Sequence, residues 1–189
     1  KGYNVLATGE MGIGNTTTSS AVCSVLLDQS VEKVTGKGAG LTNKDLEHKI
    51  EVIRQSIALN KVNADDPLDV LAKVGGLDIA GMAGCYIGGA ALNIPVFIDG
   101  FISSVAALIA IRLVPECAPY LFPSHCSNEP AGRMILDAIG KQPYIFANMC
   151  LGEGTGAVMG FTIADYAFKA YWELPSFEQT NFGTYEELN

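Results

Sequence analysis

Residues 8–18 combine glycines and hydroxyl side chains at a spacing that could bind phosphate. This segment, TGEMGIGNTTT, follows a short apolar run at residues 3–7 and precedes an apolar run at residues 19–27 that predicts a buried helix. A glycine-rich turn between a strand and a helix directs backbone N–H groups and the positive end of the helix dipole towards one point. We therefore expect an anion site here, most simply for a single phosphate. A tight strand-to-helix turn with hydroxyl caps explains the glycines about equally well.

The same segment fails to match two common nucleotide motifs. Residues 9–16 have the outline of the triphosphate-binding loop, but Asn15 stands where that motif has lysine. Glu10, inside the loop, further disfavours a polyphosphate with its magnesium. Residues 12–14 supply two glycines of the dinucleotide motif, but Thr17 follows them in place of the third. A nucleoside triphosphatase is therefore a disfavoured alternative, which an ATP hydrolysis assay with magnesium would test.

A second glycine-rich segment, LGEGTG at residues 151–156, has Glu153 as its only charged residue. A carboxylate between glycines is exposed on a turn and can approach a substrate atom closely, which suits a general base. A following helix N-terminus would favour the charged form of Glu153, whereas burial beside an aromatic base would favour the neutral form. From these residues alone, an ordinary exposed loop glutamate is the simpler interpretation.

Lys49 falls on the apolar side of a predicted helix. The stripe is set by four residues at helical spacing, Leu46, Ile50, Ile53 and Ile57, with Asn43 as the predicted N-cap. A lysine in this stripe needs a partner. Its stem could extend to the rim of the core, or its ammonium could point at a carboxylate or phosphate at the edge of the sheet.

Polar residues also follow two predicted strands. Asp99 ends an apolar strand at residues 95–99, and ligands of parallel α/β proteins collect at the carboxyl ends of strands. After a strand at residues 120–122, Ser127 or Asn128 is predicted to cap a helix that runs to about residue 139. His125, next to an apolar strand, is more simply interpreted as a structural histidine than as a base.

Apolar strands that alternate with apolar helices predict the α/β class, with a doubly wound, Rossmann-like parallel sheet covered by helices on both faces. Asp66 and Pro67 predict the start of a short helix, residues 142–149 a less secure last strand, and residues 157–172 a helix. The apolar face of that last helix is predicted to comprise Phe161, Ala164, Phe168 and Tyr171. We expect one large nucleotide-binding domain at residues 1–172 and a polar, loosely ordered tail at residues 173–189.

Composition narrows the classes of function. Of 189 residues, 49% are hydrophobic and 17% charged, and the net charge of −8 disfavours nucleic acid as a partner. Five scattered cysteines without a C-x-x-C pair predict cytoplasmic thiols. With two histidines and no ligand spacing we expect no metal, and with no long apolar run we expect no membrane segment. The chain starts with lysine, so we expect the natural N-terminus to be absent.

Several blocks resemble one enzyme family, nicotinate-nucleotide:dimethylbenzimidazole phosphoribosyltransferase, and occur in that family's order. They are GEMGIGNTT at residues 9–17, VTGKG at 34–38, DPLDVL at 66–71, GGLDIAG at 75–81, IDGF at 98–101, SH at 124–125 with EP at 129–130, and LGEGTG at 151–156. Family members are about twice as long, and this chain resembles their second half only.

The resemblance implies that nicotinate mononucleotide gives its ribose phosphate to 5,6-dimethylbenzimidazole, which releases nicotinate and forms α-ribazole 5′-phosphate for cobalamin, without a cofactor. It implies that Glu153 is the catalytic base and that Glu10 stabilises the developing ribosyl cation. It further implies these substrate-binding residues: Gly12, Gly14, Asn15, Thr16, Thr17, Gly38, Lys49, Asp78, Asp99, Ser127, Gly152, Gly154, Thr155 and Gly156. Asp78 and Asp99 could instead cap helices.

Two functional hypotheses remain open at this point. The chain is either the large-domain portion of an active transferase or a nucleotide-binding module without transferase activity, because the resemblance places part of the benzimidazole pocket in the missing half. The acceptor base is not determined. The low charge and the Gly/Ala-rich residues 75–92 favour a homodimer.

Overall fold

The computed structural model describes residues 2–180 and contains a parallel three-stranded sheet. The strands are β1 (Leu6–Ala7), β2 (Val96–Ile98) and β3 (Leu121–Pro123), and β2 lies between the other two. Leu6 pairs with Val96, which in turn pairs with Leu121. The short apolar runs at residues 3–7, 95–99 and 120–122 therefore do mark strands, and their carboxyl ends lie at one edge of the sheet.

Eight α-helices and one short 3-10 helix are present among the described residues. The α-helices are α1 (Asn15–Leu27), α2 (Val31–Val34), α3 (Asn43–Asn60), α4 (Pro67–Val74), α5 (Leu77–Ala91), α6 (Phe101–Leu113), α7 (Gly132–Ala138) and α8 (Thr155–Glu173), and the 3-10 helix is Pro115–Tyr120. Asp66 caps α4 as predicted: its Oδ1 accepts hydrogen bonds from the backbone N–H groups of Leu68 and Asp69.

Helices cover both faces of the sheet, which confirms the predicted α/β class. Neighbouring side chains of β2 point to opposite faces. Val96 faces α5, where a Cβ on Gly89 would lie 2.5 Å from a Val96 methyl carbon. Phe97 faces α8 and makes an edge-on contact with Phe161, with ring centroids 4.9 Å apart. Helix α5 thus packs closely against β2 through a glycine, and α8 packs against the other face of β2 through an aromatic pair.

The core lies largely on the α5 and α6 side of the sheet. The first ten residues of α6, from Phe101 to Ala110, are all buried. A helix that is apolar on every side is stable only when other elements surround it. The first charged residue of α6, Arg112, lies near its end and donates a hydrogen bond to the Leu26 carbonyl at the end of α1 (2.7 Å).

Two predicted helix caps are wrong. The N-cap of α3 is Thr42, whose Oγ1 accepts from the Asp45 backbone N–H at 3.2 Å, and Asn43 is already the first helical residue. Neither Ser127 nor Asn128 caps α7, because the 129–131 turn intervenes and Ala131 is the N-cap. The Ser127 hydroxyl instead accepts from the Glu129 backbone N–H at 3.3 Å, within the loop. Local pattern alone does not reveal that a further turn precedes the helix.

Residues 142–149 do not form the predicted strand. One isolated bridge joins Ile145 to His125, and the backbone N–H of Ile145 donates to Ser124. Pro143 has no N–H to donate and interrupts a regular ladder. The segment therefore follows the loop after β3 without extending the sheet.

The last helix differs from its predicted face. Phe161 and Ala164 are half-buried, but Phe168 and Tyr171 are 64% and 76% exposed. The second half of α8 thus extends beyond the sheet that its first half covers, so part of its apolar face is open. None of the helices in the described part of the chain is long and apolar enough to cross a membrane.

Helix α8 ends at Glu173, the residue at which the tail is predicted to begin. The described part of the tail contains a turn in which Gln179 and Thr180 donate backbone hydrogen bonds to the Ser176 carbonyl. The rest of the predicted tail, residues 181–189, lies outside the described residues. The boundary between domain and tail stays a prediction.

Candidate functional site

A cavity of about 570 Å³ opens at the carboxyl ends of the three strands. Four loops form its wall: the loop from β1 into α1, the turn between α2 and α3, the loop after β3, and the loop before α8. The start of α6 forms its floor. These are the places where a parallel sheet presents polar groups to a ligand.

The two carboxylates implied by the resemblance, Glu10 and Glu153, both line this cavity. Their loops are joined directly, because the Glu153 backbone N–H donates to the Glu10 carbonyl at 2.9 Å. Gly9 permits this approach: a Cβ there would lie 2.4 Å from the Gly154 backbone nitrogen. The glycines therefore allow these loops to touch, and the fold brings them together.

Glu153 lies in a left-handed backbone conformation. Gly152, Glu153 and Gly154 have φ angles of 76°, 57° and 80°. Such a φ costs a non-glycine residue free energy, so the surrounding contacts must hold Glu153 there. The side chain is exposed to the cavity, as predicted for a residue between glycines.

Asn15, which stands where a triphosphate-binding loop has lysine, stabilises the first loop through a hydrogen bond to Glu10. Its Nδ2 donates to Glu10 Oε1 at 2.7 Å, and the same oxygen accepts from the Met11 backbone N–H at 3.0 Å. Gly14 caps α1 with a φ of 84° and supplies no side-chain acceptor to the N-terminal N–H groups. The positive end of α1 is thus left open beside the cavity.

Lys49 is buried in α3, with 7% of its surface exposed. Its Nζ donates to Thr16 Oγ1 at 2.9 Å and to the Gly36 carbonyl at 3.1 Å. Burial lowers the pKa of Lys49, and the Glu129 carboxylate opposes that change. The ammonium therefore points at the first turn of α1 and at the adjacent glycine turn, so its stem does not extend to the rim of the core.

Asp99 joins the end of β2 to the start of α8. The residue is 1% exposed, and its carboxylate accepts three hydrogen bonds, from the backbone N–H groups of Gly154 (2.9 Å), Gly156 (2.8 Å) and Ala157 (3.2 Å). It acts as the N-terminal cap of α8 from a distant strand. Because Gly154 follows Glu153, this cap also holds the Glu153 loop in place.

His125 packs beneath the same loop. A Cβ on Gly156 would lie 2.0 Å from His125 Nδ1, and that nitrogen is also 3.0 Å from Ser124 Oγ. Burial lowers the pKa of His125, although the Asp99 carboxylate opposes this change, so the surroundings of the ring favour its neutral form. These contacts agree with the structural interpretation of His125.

The structure brings most of the proposed site residues together. Those that line the cavity are Glu10, Gly12, Thr16, Gly38, Asp99, Ser127, Gly152 and Glu153. Gly14, Asn15, Lys49, Gly154, Thr155 and Gly156 lie behind them; Thr155 Oγ1, for example, donates to the Gly152 carbonyl at 2.7 Å.

Thr17 and Asp78 are not among the residues that line this cavity. Asp78 lies in the first turn of α5, and its Oδ2 is buried without a hydrogen-bond partner in the described part of the chain. Its other carboxylate oxygen lies against Gly76, where a Cβ would be 2.3 Å away. Asp78 therefore packs against the turn between α4 and α5 but does not cap α5, and a direct ligand contact stays a prediction for both residues.

Sequence reasoning missed Glu129 and the apolar lining of the cavity. Glu129 lies in a block that resembles the family, but only the fold places its carboxylate against Gly36 of the adjacent glycine turn. The apolar lining consists of Met11, Ile13, Phe101, Ile102 and Leu151, of which Met11, Ile13 and Leu151 are largely exposed. The sequence does contain a signal for this lining, because each glycine-rich loop carries apolar residues: Met11 and Ile13 in the first and Leu151 in the second.

A second, more open cavity lies on the other side of the two glutamate loops. It shares Glu10, Met11 and Glu153 with the first and continues to Thr8 and Val158. The carboxylates of Glu10 and Glu153 thus lie between two cavities.

Within residues 2–180, no group of three His, Cys, Asp or Glu side chains is arranged to hold a metal ion.

Comparison with known proteins gives consistent results. A family model described as phosphoribosyltransferase matches residues 1–182. The nicotinate-nucleotide–dimethylbenzimidazole phosphoribosyltransferase of Ruminiclostridium cellulolyticum is 53% identical over 188 residues, which cover 100% of this chain and 53% of that protein. The enzyme of the same name from Clostridium acetobutylicum is 48% identical over 188 residues, with the same coverage.

A crystal structure of CobT from Thermus thermophilus superimposes with a TM-score of 0.87 at 35% identity, and the match covers 94% of this chain and 53% of that one. The chain spans about half the length of the curated relatives that it matches. The family model, the similar sequences and the similar structure agree, and the chain belongs to the nicotinate-nucleotide–dimethylbenzimidazole phosphoribosyltransferase family.

Proposed function

We propose that this protein transfers the phosphoribosyl group of nicotinate mononucleotide to 5,6-dimethylbenzimidazole, with nicotinate and α-ribazole 5′-phosphate as products. The observation that carries this proposal is the placement of Glu10 and Glu153 on two joined loops of one cavity. The names of the relatives supply the substrates. The Asp99 cap supports the proposal, because it holds the Glu153 loop against the sheet.

The proposed reaction is a displacement at C1 of the ribose. One imidazole nitrogen of the acceptor forms a bond to C1 while the bond from C1 to the pyridinium nitrogen breaks, and its electron pair leaves a neutral nicotinate ring. Glu153 takes the proton from the other imidazole nitrogen. A general base of this kind contributes about a hundredfold to ten-thousandfold in rate.

Glu10 is proposed to stabilise the positive charge that develops on the ribosyl ring. Its carboxylate is held by Asn15 and by the Met11 backbone N–H, so its position is set before the substrate arrives. A preorganised charge needs no reorganisation when the transition state forms, which is the main source of electrostatic catalysis.

The donor phosphate is proposed to lie between the N-terminus of α1 and the glycine turn at residues 36–40. Thr16 and Gly38 both line the cavity there, and a Cβ on Gly38 would be 2.8 Å from Thr16 Oγ1. Lys49, bonded to Thr16, places positive charge beside an otherwise acidic wall. Donor and acceptor held in line in this way gain a large effective concentration.

The alternative is a module that binds the nucleotide without transferring it. Three apolar side chains at the cavity support this alternative, because they are largely exposed: Met11 (57%), Ile13 (68%) and Leu151 (66%). A pocket for a flat aromatic acceptor would need further residues that cover these side chains and enclose the ring. In this alternative the donor site is complete and the acceptor site is not.

We also propose a cytoplasmic homodimer that does not bind nucleic acid. The unpaired state of all five cysteines fits a reducing compartment, and the net charge of −8 repels phosphate backbones. The outer face of α5 supports the dimer: Leu77 and Leu92 at its ends are 91% and 71% exposed, and Gly84 has open space at its Cβ position. A flat apolar helix face can pack against its own symmetry copy.

Calorimetric titration with nicotinate mononucleotide tests the proposed function, followed by dimethylbenzimidazole in the same sample with nicotinate measured by chromatography. Binding followed by nicotinate release supports the transferase. Binding without release supports the nucleotide-binding module, and the absence of binding contradicts both.

A further inference from the structure

The two ring nitrogens of His125 have different surroundings, and the structural role of this residue uses only one of them. Nδ1 lies 3.0 Å from Ser124 Oγ. A Cβ on Gly156 would be 2.0 Å from the same nitrogen, so the start of α8 covers the Nδ1 side of the ring. Nε2 lies 3.6 Å from the Cβ position of Gly100, the residue at which α6 and the floor of the main cavity begin.

The Ser124 hydroxyl decides which nitrogen of the neutral ring carries the proton. Its one hydrogen is used in a bond of 2.8 Å to the Ile98 carbonyl, at the end of β2. Ser124 Oγ therefore accepts at His125 Nδ1, and Nδ1 must supply that hydrogen. The opposite tautomer would leave one of these two short contacts without a hydrogen. A neutral imidazole has a single N–H, so Nε2 is an unprotonated acceptor.

Nε2 of His125 has no hydrogen-bond partner within residues 2–180. In this part of the chain, the side-chain polar atoms that are both unpartnered and closed off from solvent belong to Ser19, Thr35 and Asp78. Nε2 is not among them, so it is open on one side. Because His125 is 2% exposed and lines the main cavity, that opening is to the cavity. An acceptor held in so buried a position favours a ligand that donates a hydrogen bond to it.

The proposed substrates contain few groups that could donate this hydrogen bond. Nicotinate mononucleotide has two ribose hydroxyls, whereas its carboxylate and its phosphate are ionised groups that the lone pair of Nε2 repels. The one N–H of dimethylbenzimidazole is given to Glu153 in the proposed reaction. The ribose joins C1, at the two glutamates, to the phosphate near Thr16, so it must cross the cavity that His125 lines.

We propose that His125 Nε2 accepts a hydrogen bond from a ribose hydroxyl of nicotinate mononucleotide and thereby selects ribose over deoxyribose in the donor. This inference rests on the proposed function, which supplies the donor. Ser124 fixes the tautomer that makes Nε2 an acceptor, through its own bond to the Ile98 carbonyl. His125 thus binds the donor and takes no part in the proton transfer, which remains with Glu153.

Deoxyribose donors combined with a variant of His125 test this contact by calorimetry. In the parent, the 2′-deoxy or the 3′-deoxy form of nicotinate mononucleotide is expected to bind about tenfold more weakly than the ribose form, the effect of losing one hydrogen bond. His125→Asn keeps a donor near the position of Nδ1 and loses the acceptor at Nε2. It should bind the ribose form about tenfold more weakly, and removal of the same hydroxyl should then cost less than about twofold.

Two further variants distinguish the contact from a general loss of structure. His125→Gln places an amide oxygen near the position of Nε2, so it should retain discrimination against the deoxyribose donor. His48→Asn, at an exposed position of α3, is the matched control and should behave as the parent. A purely structural role would weaken the ribose and deoxyribose donors by the same factor. Equal discrimination in the parent and in His125→Asn therefore overturns the proposal.

Nitrogen-15 NMR of the imidazole ring measures the tautomer without any substrate or substitution. We expect a protonated Nδ1 and an unprotonated Nε2 in the parent, and a protonated Nε2 would overturn the proposal. Full affinity of the parent for both deoxyribose donors would overturn the hydroxyl contact alone. A parent protein that binds no nicotinate mononucleotide contradicts the proposed function and the contact together.

Discussion

The Glu153 backbone N–H donates to the Glu10 carbonyl at 2.9 Å, although 143 positions separate the two residues in the chain. This hydrogen bond fixes two carboxylate-bearing loops against each other, and Gly9 leaves the space for it. Two carboxylate-bearing side chains are therefore held at one cavity by the contact between their loops. The Glu10 carboxylate is fixed further by Asn15 and by the Met11 backbone N–H.

Replacement of Glu153 tests the proposed base. Glu153→Gln keeps the shape of the side chain and its left-handed backbone but cannot take up a proton. We expect kcat to fall by about a hundredfold or more, with the Kd for nicotinate mononucleotide nearly unchanged. Steady-state nicotinate release and calorimetry measure the two quantities. Weakened nucleotide binding at an unchanged kcat would contradict the assignment, and Glu173→Gln at the end of α8 serves as the control.

Replacement of Asp99 tests the cap that holds the Glu153 loop. The amide of Asp99→Asn replaces one of the two carboxylate oxygens that accept from three backbone N–H groups, so its NH2 group faces at least one of those N–H groups. We expect a loss of about 1–3 kcal/mol in the free energy of unfolding and a lower kcat, because the loop is no longer held. Urea unfolding and nicotinate release measure both effects. Asp65→Asn, on an exposed turn, should change neither, and wild-type values in Asp99→Asn would refute the role of the cap.

The lowered pKa of His125 predicts how the free energy of unfolding depends on pH. Because burial lowers its pKa in the folded protein, the unfolded chain binds a proton at His125 first as the pH falls through the ordinary value of 6.5. Protonation thus favours unfolding, and the contribution of His125 to the free energy of unfolding is full above pH 6.5 and decreases below it. Glu129, with a raised pKa, acts in the opposite sense, so the comparison must be made between variants.

Urea unfolding between about pH 7.5 and about pH 5 tests this dependence. His125→Gln should be less stable than the parent at the upper end of this range, and the difference should narrow towards the lower end. His48→Gln, at an exposed position of α3, should follow the parent at every pH. A constant difference between His125→Gln and the parent would show that the ring is not held in its neutral form.

The proposed homodimer can be tested at the outer face of α5. Gly84 has no neighbour within 4 Å of its Cβ position, so an arginine fits on the monomer but not in a packed symmetric interface. We expect Gly84→Arg to sediment as a monomer at concentrations where the parent sediments as a dimer. Gln55→Arg adds the same charge to α3 and should remain dimeric. A dimeric Gly84→Arg would place the interface elsewhere.

The sequence by itself determined the three strands of the sheet, the glycine-rich loops and the position of Lys49 on the apolar side of its helix, although it also predicted a fourth strand that does not form. These features depend on neighbours within a few positions: apolar runs, helical spacing around Ile53, and the Asp66-Pro67 helix start. The blocks that resemble the family also pointed to most residues that line the cavity. Loops whose backbones pack closely together require glycine at the contact, and glycines are visible in the sequence. Glu10 and Glu153 could be named before their distance was known.

Only the tertiary structure decided the partners of the buried polar groups. Lys49 and Thr16 are 33 positions apart, and Asp99 and Gly154 are 55 apart, so no local pattern could pair them. Glu129 was passed over for the same reason, because the turn at Gly36 that its carboxylate lies against belongs to another loop. Periodicity reports which side of an element is buried, but a hydrogen bond between distant segments depends on how the whole chain packs.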